Sequence, residues 1–196
     1  MGRKMKLSIS IMMHPSRLKY KDYLISKLGN VPVILDRGLG IWDTSKRSWL
    51  SFDKTADYHC VIQDDAIIGK YFYKNVEKEI LAHPNKAFSF YLGNREAFRK
   101  DSDKWIADGG VERDIVNWGV AVCLPTAIIE DCMRYGDRLT EYDKHDDTKI
   151  SKYLQKLRMK VWHPMPSLVD HRWDERSLME RTLANKMRKA LYFIGE

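Results

Sequence analysis

Residues 58–68 read "YHCVIQDDAII". The apolar run at residues 58–62 is typical of a strand that is buried on both faces at the centre of a sheet. Asp64 and Asp65 follow where that strand ends, and further apolar residues come after them. Two adjacent carboxylates repel each other unless a positive charge lies close to them. The stretch therefore predicts a central strand that ends at a site for a cation.

Strands and helices alternate on both sides of this stretch. Apolar runs and period-two alternation predict the other strands at 6–13, 31–35, 87–92, 118–125 and 159–164. Helical spacing predicts helices at 17–28, 44–52, 70–83, 126–136 and 145–157, and a basic one at about 175–193. Residues 93–116 are polar, and we expect a long loop region with about one helical turn. This rhythm predicts an α/β sandwich with a mainly parallel sheet, in which ligands bind beyond the carboxyl ends of the strands.

Length and composition favour one globular domain. The chain has 196 residues, of which 44% are hydrophobic and 31% charged, as in ordinary globular proteins. No apolar stretch approaches the roughly 20 residues of a membrane span. The N-terminal apolar run is short and no small-residue cleavage site follows it. We therefore interpret the run as the first strand of a cytosolic protein. The three cysteines have no metal-ligand spacing, and we expect them to be reduced core residues.

The chain is basic, which favours an anionic partner. Its formal net charge is +7, with 34 Lys and Arg against 27 Asp and Glu. Nucleic acid, a phospholipid surface and a phosphorylated small molecule all satisfy this preference. Part of the surplus is local to the C-terminal stretch "RTLANKMRKALYF", whose predicted helix either packs on the sheet or contacts one of these partners.

The acid pair suits a divalent metal ion. Hard oxygen ligands at the turn after a strand favour Mg²⁺ or Mn²⁺, which take substrate phosphates as further ligands. In the alternative interpretation one Asp caps the next helix and the other is solvated. His171, in "PSLVDHR", follows another short apolar segment. An isolated histidine is more often a core or surface residue, but here it could supply a nitrogen ligand to the same ion.

The run "TSKRSWLSFDKTADYHCVIQDDAII" resembles the nucleotide-sugar site of GT-A glycosyltransferases, especially small bacteriophage-encoded ones. The motifs "WGVAVCLP", "HDDTKISKYL" and "PSLVDH" follow in the same order as in that family, so the resemblance covers roughly 7–173. It implies a single-domain GT-A (Rossmann-like) catalytic domain at 1–173, with a basic C-terminal helix at 174–196. It also implies a divalent cation, Mn²⁺ or Mg²⁺, and a UDP-sugar donor; for a phage protein the location would be the host cytoplasm.

The resemblance also implies roles for individual residues. Gln63 stands at the first position of the DXD-type motif. The last acid of the motif, Asp65, would bind the metal, and Asp64 would face the ribose or a metal-bound water. His14 and Arg17 would contact the nucleotide, and Asp36 would contact uracil or ribose. Arg47 would contact the diphosphate or the donor sugar, and His171 would bind the metal. Each residue also has a purely structural interpretation: Arg17 begins a helix, Asp36 stabilises a turn, and Arg47 is a solvated residue on a helix.

Sugar transfer also needs a group that accepts the proton of the acceptor hydroxyl. "HDD" at 145–147 offers Asp146 and Asp147, of which we prefer Asp146; helix capping accounts for at least one of them. Trp118 could stack on a sugar face, although tryptophan at a strand start is more often a core residue.

Three functions remain open at this point. The first is a metal-dependent glycosyltransferase that moves a hexose, with glucose as our guess, from a UDP-sugar to modified DNA, a glycan or a protein. The second is another metal-dependent phosphoryl or nucleotidyl transferase. The third is a non-catalytic basic nucleic-acid-binding domain. The sequence decides neither the stereochemistry of transfer nor the oligomeric state.

Overall fold

A seven-stranded sheet forms the centre of the molecule. The computed structural model describes residues 5–139, 145–172, 178 and 188–195. Within these residues the strands are β1 (Leu7–Met13), β2 (Val33–Leu35), β3 (Tyr58–Gln63), β4 (Ala66–Ile68), β5 (Ala87–Ser89), β6 (Gly110–Arg113), β7 (Ala121–Pro125), β8 (Val161–Pro164) and β9 (Val169–His171). The large sheet has the order β2-β1-β3-β7-β5-β8-β6. Strands β6 and β7 run against the other five.

Helices cover both faces of this sheet. They are α1 (Lys21–Leu28), α2 (Ile41–Leu50), α3 (Phe72–Ala82), α4 (Glu96–Arg99), α5 (Ser102–Ala107), α6 (Ile129–Asp137) and α7 (Asp146–Lys156). Two short 3₁₀ helices, Pro15–Tyr20 and Thr126–Ile128, precede α1 and α6. The predicted fold class, an α/β sandwich with a mainly parallel sheet flanked by helices, is confirmed.

The hydrophobic core has two parts, one on each face of the sheet, and alternate side chains of β3 belong to different parts. Cys60 and Ile62 pack with α1 and α3 on one face. Val61 points to the other face and packs with α2, α6 and α7, because successive side chains of a strand point to opposite faces. Residues 58–62 are all buried, so the prediction of a central strand doubly covered by helices is confirmed.

A second, two-stranded sheet lies beside the acid pair. Strand β4 begins directly after Asp65 and pairs antiparallel with β9. In this ladder Ala66 lies opposite His171. Neither strand is predicted from the sequence pattern, because each has only three residues and each depends on a partner about a hundred residues away. This small sheet places His171, the last residue of the "PSLVDH" motif, beside the end of β3.

Two predicted segments differ from the structure. Residues 93–116, expected to be a loop, contain α4, α5 and the edge strand β6, which pairs with β8. Strand β6 is a short edge strand whose first residue alone is buried, so its sequence carries little apolar alternation. The strand predicted over 87–92 is assigned only over β5, although Phe90, Tyr91 and Leu92 are fully buried.

Most of the predicted C-terminal helix, residues 173–177 and 179–187, lies outside the described residues. Residues 189–195 are described and are not helical. Their backbone groups bond to the sandwich instead, since the Leu191 amide donates to the Leu92 carbonyl at 2.7 Å and the Ser167 amide donates to the Tyr192 carbonyl at 2.8 Å. The helix prediction is therefore wrong for this last part. The domain boundary at residue 173 stays a prediction.

All three cysteines are buried and free, as predicted. Cys60 and Cys123 face each other across the ladder of β3 and β7. Burial raises the pKa of Cys132 to about 12 and raises that of Cys123 as well. In the part of the chain that the structure describes, no helix has the length and apolar character needed to cross a bilayer.

Candidate functional site

A cavity of about 540 Å³ opens at the carboxyl ends of β1, β2 and β3. These three strands are parallel neighbours, so the residues that follow them lie at one edge of the sheet. Nine of the ten candidate residues from the sequence line this cavity, and Arg47 does not. The nine are His14, Arg17, Asp36, Asp64, Asp65, Trp118, Asp146, Asp147 and His171.

The acid pair at the end of β3 is buried and surrounded by nitrogen donors. Asp64 and Asp65 are each 4% exposed. Arg17 Nη1 lies 2.8 Å from Asp64 Oδ1 and 2.5 Å from Asp65 Oδ2. The backbone amide of His14 donates to Asp64 Oδ2 at 2.6 Å. On the far side, His171 Nε2 lies 3.1 Å and Arg188 Nη2 lies 3.6 Å from Asp65 Oδ2.

These neighbours push the two carboxyl pKa values apart. For Asp65, burial favours the neutral acid, but His171 and the charges of Arg17 and Arg188 outweigh it and lower the pKa to about 2. For Asp64, burial and then the negative charge of Asp65 raise the pKa, against the opposing hydrogen bonds from His14 and Arg17. Asp65 is therefore the permanent anion of the pair, which is the state a metal ligand requires.

The donor atoms around Asp65 fit a divalent cation. Asp65 Oδ1 and His171 Nδ1 are buried and have no hydrogen-bond partner among the described residues. The 3.1 Å between Asp65 Oδ2 and His171 Nε2 matches the separation of about 3 Å expected for adjacent ligands at about 2.1 Å from an octahedral ion. Carboxylate oxygen and imidazole nitrogen are both ligands of Mn²⁺. No group of three or more His, Cys, Asp or Glu converges within the described ranges, so phosphate oxygens or waters would have to complete the shell.

A second acid pair lies across the cavity at the start of α7. Asp146 is 7% exposed. Burial, and then the negative charge of Asp147, raise the pKa of Asp146 to about 7, against a smaller lowering by the Ser45 hydroxyl. Asp147 Oδ1 accepts a hydrogen bond from the Thr148 amide at 2.7 Å. This contact satisfies one amide of the first turn, but the N-cap of α7 is His145 and no side chain of the described residues caps the helix. The prediction that one of the two acids caps the helix is therefore wrong. Asp146, with its raised pKa, is poised to exchange a proton near neutral pH.

Trp118 is held in a strained backbone conformation at the cavity wall. Its φ of 86° is unusual for a bulky residue and costs on the order of 1–3 kcal/mol. The ring packs directly on Gly93, where an added Cβ would lie 1.5 Å from it. The Arg95 guanidinium carbon lies 4.5 Å from its centroid, and the Tyr91 ring lies 5.7 Å away. Trp118 also packs against the buried core cluster that contains Tyr91. It is therefore a core-packed residue, as the alternative interpretation expected, that also lines the cavity.

Two candidates have local roles as well. Asp36 Oδ1 accepts from the Gly38 amide at 2.8 Å, so Asp36 shapes the turn after β2 while it lines the cavity. Arg47 Nε donates to Asp43 Oδ2 at 2.9 Å, and its Nη2 donates to the Leu35 carbonyl at 2.8 Å. These contacts direct Arg47 to the turn after β2.

The structure adds residues that the sequence analysis did not single out. Arg188 lines the cavity and is 9% exposed. Asn117 also lines it, is 4% exposed, and its Nδ2 has no hydrogen-bond partner in the part of the chain that the structure describes. The basic character of the C-terminal stretch was the only feature of the sequence that pointed to Arg188. For Asn117, the only such feature was its position immediately before the "WG" motif.

Comparisons with known proteins agree with this fold. No protein-family model and no curated protein sequence matches the chain. The chain is similar in structure to A197 from STIV, with 13% identity, coverage of 85% of this chain and 83% of that chain, and a TM-score of 0.52. This likeness shows a shared fold.

Two further matches are to one Drosophila enzyme. The catalytic domain of β1,4-galactosyltransferase 7 in complex with xylobiose matches at 8% identity over 96% of this chain and 82% of that chain, with a TM-score of 0.48. A mutant of it in complex with manganese, UDP-Gal and xylobiose matches with the same identity and coverage and a TM-score of 0.46. Both scores are too low to indicate a shared fold.

Proposed function

We propose that this protein is a metal-dependent glycosyltransferase of the GT-A type that transfers a hexose from a UDP-sugar. The observation that carries the proposal is the meeting of two acid pairs in one cavity, one with a permanent anion and one with a proton-exchanging carboxyl. A nucleotide-sugar transfer can use both, because the charge on the leaving diphosphate is neutralised and the acceptor hydroxyl loses a proton. The cavity volume lies within the usual range for small-molecule sites.

The first acid pair forms the diphosphate end of the proposed site. Asp65 and His171 would hold Mn²⁺ or Mg²⁺, which when bound neutralises the negative charge that develops on the leaving UDP. Asp64, fixed by the His14 amide, is available to a ribose hydroxyl or a metal-bound water. His14, Arg17 and Asp36, at the ends of the first two parallel strands, would contact the nucleotide. Arg47 remains a candidate for the diphosphate only if it leaves Asp43.

The second acid pair forms the acceptor end. Asp146 would take the proton from the acceptor hydroxyl, and its raised pKa lets it return that proton to solvent at neutral pH. Trp118 offers a rigid ring for a sugar face. The Asn117 amide, for which the described residues supply no partner, offers a donor to a hydroxyl oxygen. Glucose stays our choice of donor sugar, and a cytoplasmic location stays our choice of compartment.

A thermal-shift assay with UDP, with and without Mn²⁺, tests the proposal. We expect stabilisation that needs both UDP and Mn²⁺ and that disappears in Asp65→Ala. Equal shifts with ATP, GTP and UDP would instead favour a phosphoryl or nucleotidyl transferase. Tight, salt-sensitive DNA binding without any response to UDP would favour the nucleic-acid-binding alternative.

The donor sugar can be identified without knowledge of the acceptor. We expect slow, Mn²⁺-dependent hydrolysis of one member of a panel of UDP-sugars, detected by mass spectrometry. Asp146→Asn tests which carboxyl acts as the base, since it should abolish transfer while it preserves UDP binding. Unchanged transfer by Asp146→Asn would contradict the assignment to Asp146.

A further inference from the structure

Two guanidinium groups lie where the proposed cation would bind. Arg17 extends from the 3₁₀ helix after β1, is 6% exposed, and contacts both carboxylates of the first pair through one nitrogen, Nη1. Arg188 comes from the C-terminal segment and lies 3.6 Å from Asp65 Oδ2 and 3.0 Å from His171 Nε2. Asp65 Oδ2 therefore has Arg17, Arg188 and His171 around it.

His171 cannot satisfy both of its neighbours at once. A proton on Nε2 would be donated to Asp65, whereas a bare Nε2 would accept from Arg188. The bare form directs a lone pair toward the same space as Asp65 Oδ2, which is how two ligands of one cation are arranged. The contacts around Asp65 thus belong to a cluster that can exchange partners.

Positive charge already lies beside the acid pair. Arg17 contacts both Asp64 and Asp65, and Arg188 lies near Asp65. A divalent cation on Asp65 would compete for the oxygen that Arg17 contacts at 2.5 Å. It would also add two positive charges at short range to Arg17, and such repulsion is strong in a buried site. The ion and the present position of Arg17 therefore exclude each other.

The cavity offers Arg17 another partner. Arg17 lines the cavity wall, and a planar guanidinium binds phosphate oxygens in a bidentate geometry. On the basis of the proposed function, we propose that Arg17 is a resident counter-ion. Its guanidinium neutralises the acid pair in the metal-free protein and moves to the donor diphosphate when a divalent cation takes Asp65.

This exchange couples metal and nucleotide. Metal binding breaks the Arg17 contacts to the acid pair and releases a guanidinium for phosphate, while phosphate removes the competitor of the metal. The coupling must be equal in both directions, because it is a single free energy shared by two sites. A merely structural Arg17 would give a different result, since its loss would loosen the acid pair and weaken both ligands.

Electron paramagnetic resonance of Mn²⁺, with no nucleotide present, tests the first half. We expect Arg17→Gln to bind Mn²⁺ about fivefold or more tightly than the unsubstituted protein does. Calorimetry at saturating Mn²⁺ tests the second half, and there we expect Arg17→Gln to bind UDP about tenfold or more weakly. Arg134→Gln, which removes an exposed guanidinium from α6, is the matched control and should change neither affinity.

A charge-balanced variant guards against misfolding. If Arg17→Gln does not fold, Arg17→Gln combined with Asp64→Asn removes one charge of each sign. We expect this double variant to bind Mn²⁺ at least as tightly as Asp64→Asn alone does. Weaker Mn²⁺ binding by folded Arg17→Gln, or unchanged UDP binding, would overturn the exchange and leave the proposed function standing. An unsubstituted protein that binds neither Mn²⁺ nor UDP would overturn both.

Discussion

The cavity contains the same dipeptide twice, Asp64-Asp65 after β3 and Asp146-Asp147 at the start of α7, and the pKa values of Asp65 and Asp146 shift in opposite directions. Arg17, Arg188 and His171 surround the first pair, and the pKa of Asp65 falls to about 2. At the second pair burial and the neighbouring carboxylate prevail, and the pKa of Asp146 rises to about 7. The surroundings rather than the residue type decide whether an acid pair holds a cation or holds a proton.

The largest expected effect separates the pairs by stability. Asp65→Asn removes the carboxylate that Arg17 shares with Asp64 and that Arg188 faces. Because this breaks a buried ion-pair cluster, we expect it to lower the free energy of unfolding by about 3–5 kcal/mol. Asp146→Asn removes a carboxyl that is costly to ionise, and at pH 8 we expect it to be neutral or mildly stabilising. Urea denaturation at pH 8 measures both variants. Equal losses for both would show that the two pairs do not differ as described.

The next effect separates the pairs by catalytic step. If Asp146 is the base, Asp146→Asn should lower kcat about 10²- to 10⁴-fold, with UDP affinity unchanged. Asp147→Asn is the matched control, because Asp147 accepts from the Thr148 amide and should affect kcat much less. Steady-state kinetics and calorimetry with UDP give the two readouts. A larger loss of kcat in Asp147→Asn would transfer the role to Asp147.

A third effect is the pH dependence of stability. The raised pKa of Asp146 contributes stability that is complete below the unfolded value near 4 and is lost as the pH rises through about 7. Asp65 contributes in the opposite sense, since its stabilisation is present above pH 4 and is lost as the pH falls through about 2. We expect the Asp146 contribution to the free energy of unfolding to fall by on the order of 2 kcal/mol between pH 5 and pH 8.

Denaturation curves across this range test that expectation, and Asp146→Asn is the control that should flatten the slope above pH 5. A slope that persists in Asp146→Asn would mean that another group titrates. The transfer rate should rise through the same pH range, because only the ionised Asp146 accepts a proton.

The smallest effect concerns the glycine between the pairs. A Cβ on Gly119 would lie 3.1 Å from Gln63 Nε2, next to the first pair, and 3.6 Å from Asp146 Oδ2. We expect Gly119→Ala to change stability by less than about 1 kcal/mol and to raise KM a few-fold. Gly195→Ala, where nothing lies within 4 Å of the added Cβ, should change neither. Unchanged kinetics in Gly119→Ala would mean that the space between the pairs is not used by substrate.

The sequence predicted the strands whose patterns are local and missed the contacts that are not. The buried run before Asp64 identified β3 as central, and the parallel neighbours explain why His14 and Asp36 line the same cavity as the acid pair. The pairing of β4 with β9, which brings His171 to Asp65, has no local signature. Nor does the position of Arg188, because an arginine in a basic tail does not differ in sequence from a solvated one.

The buried cysteines allow the rate of local opening to be measured by their reaction with a thiol reagent. The thiols of Cys60, Cys123 and Cys132 are at most 1% exposed, so a thiol reagent can reach them only when the sheet opens. The rate at which the folded protein reacts with such a reagent therefore reports how often the packing around these cysteines opens. If Mn²⁺ and UDP bind the folded protein, their addition should slow the reaction of these thiols with the reagent.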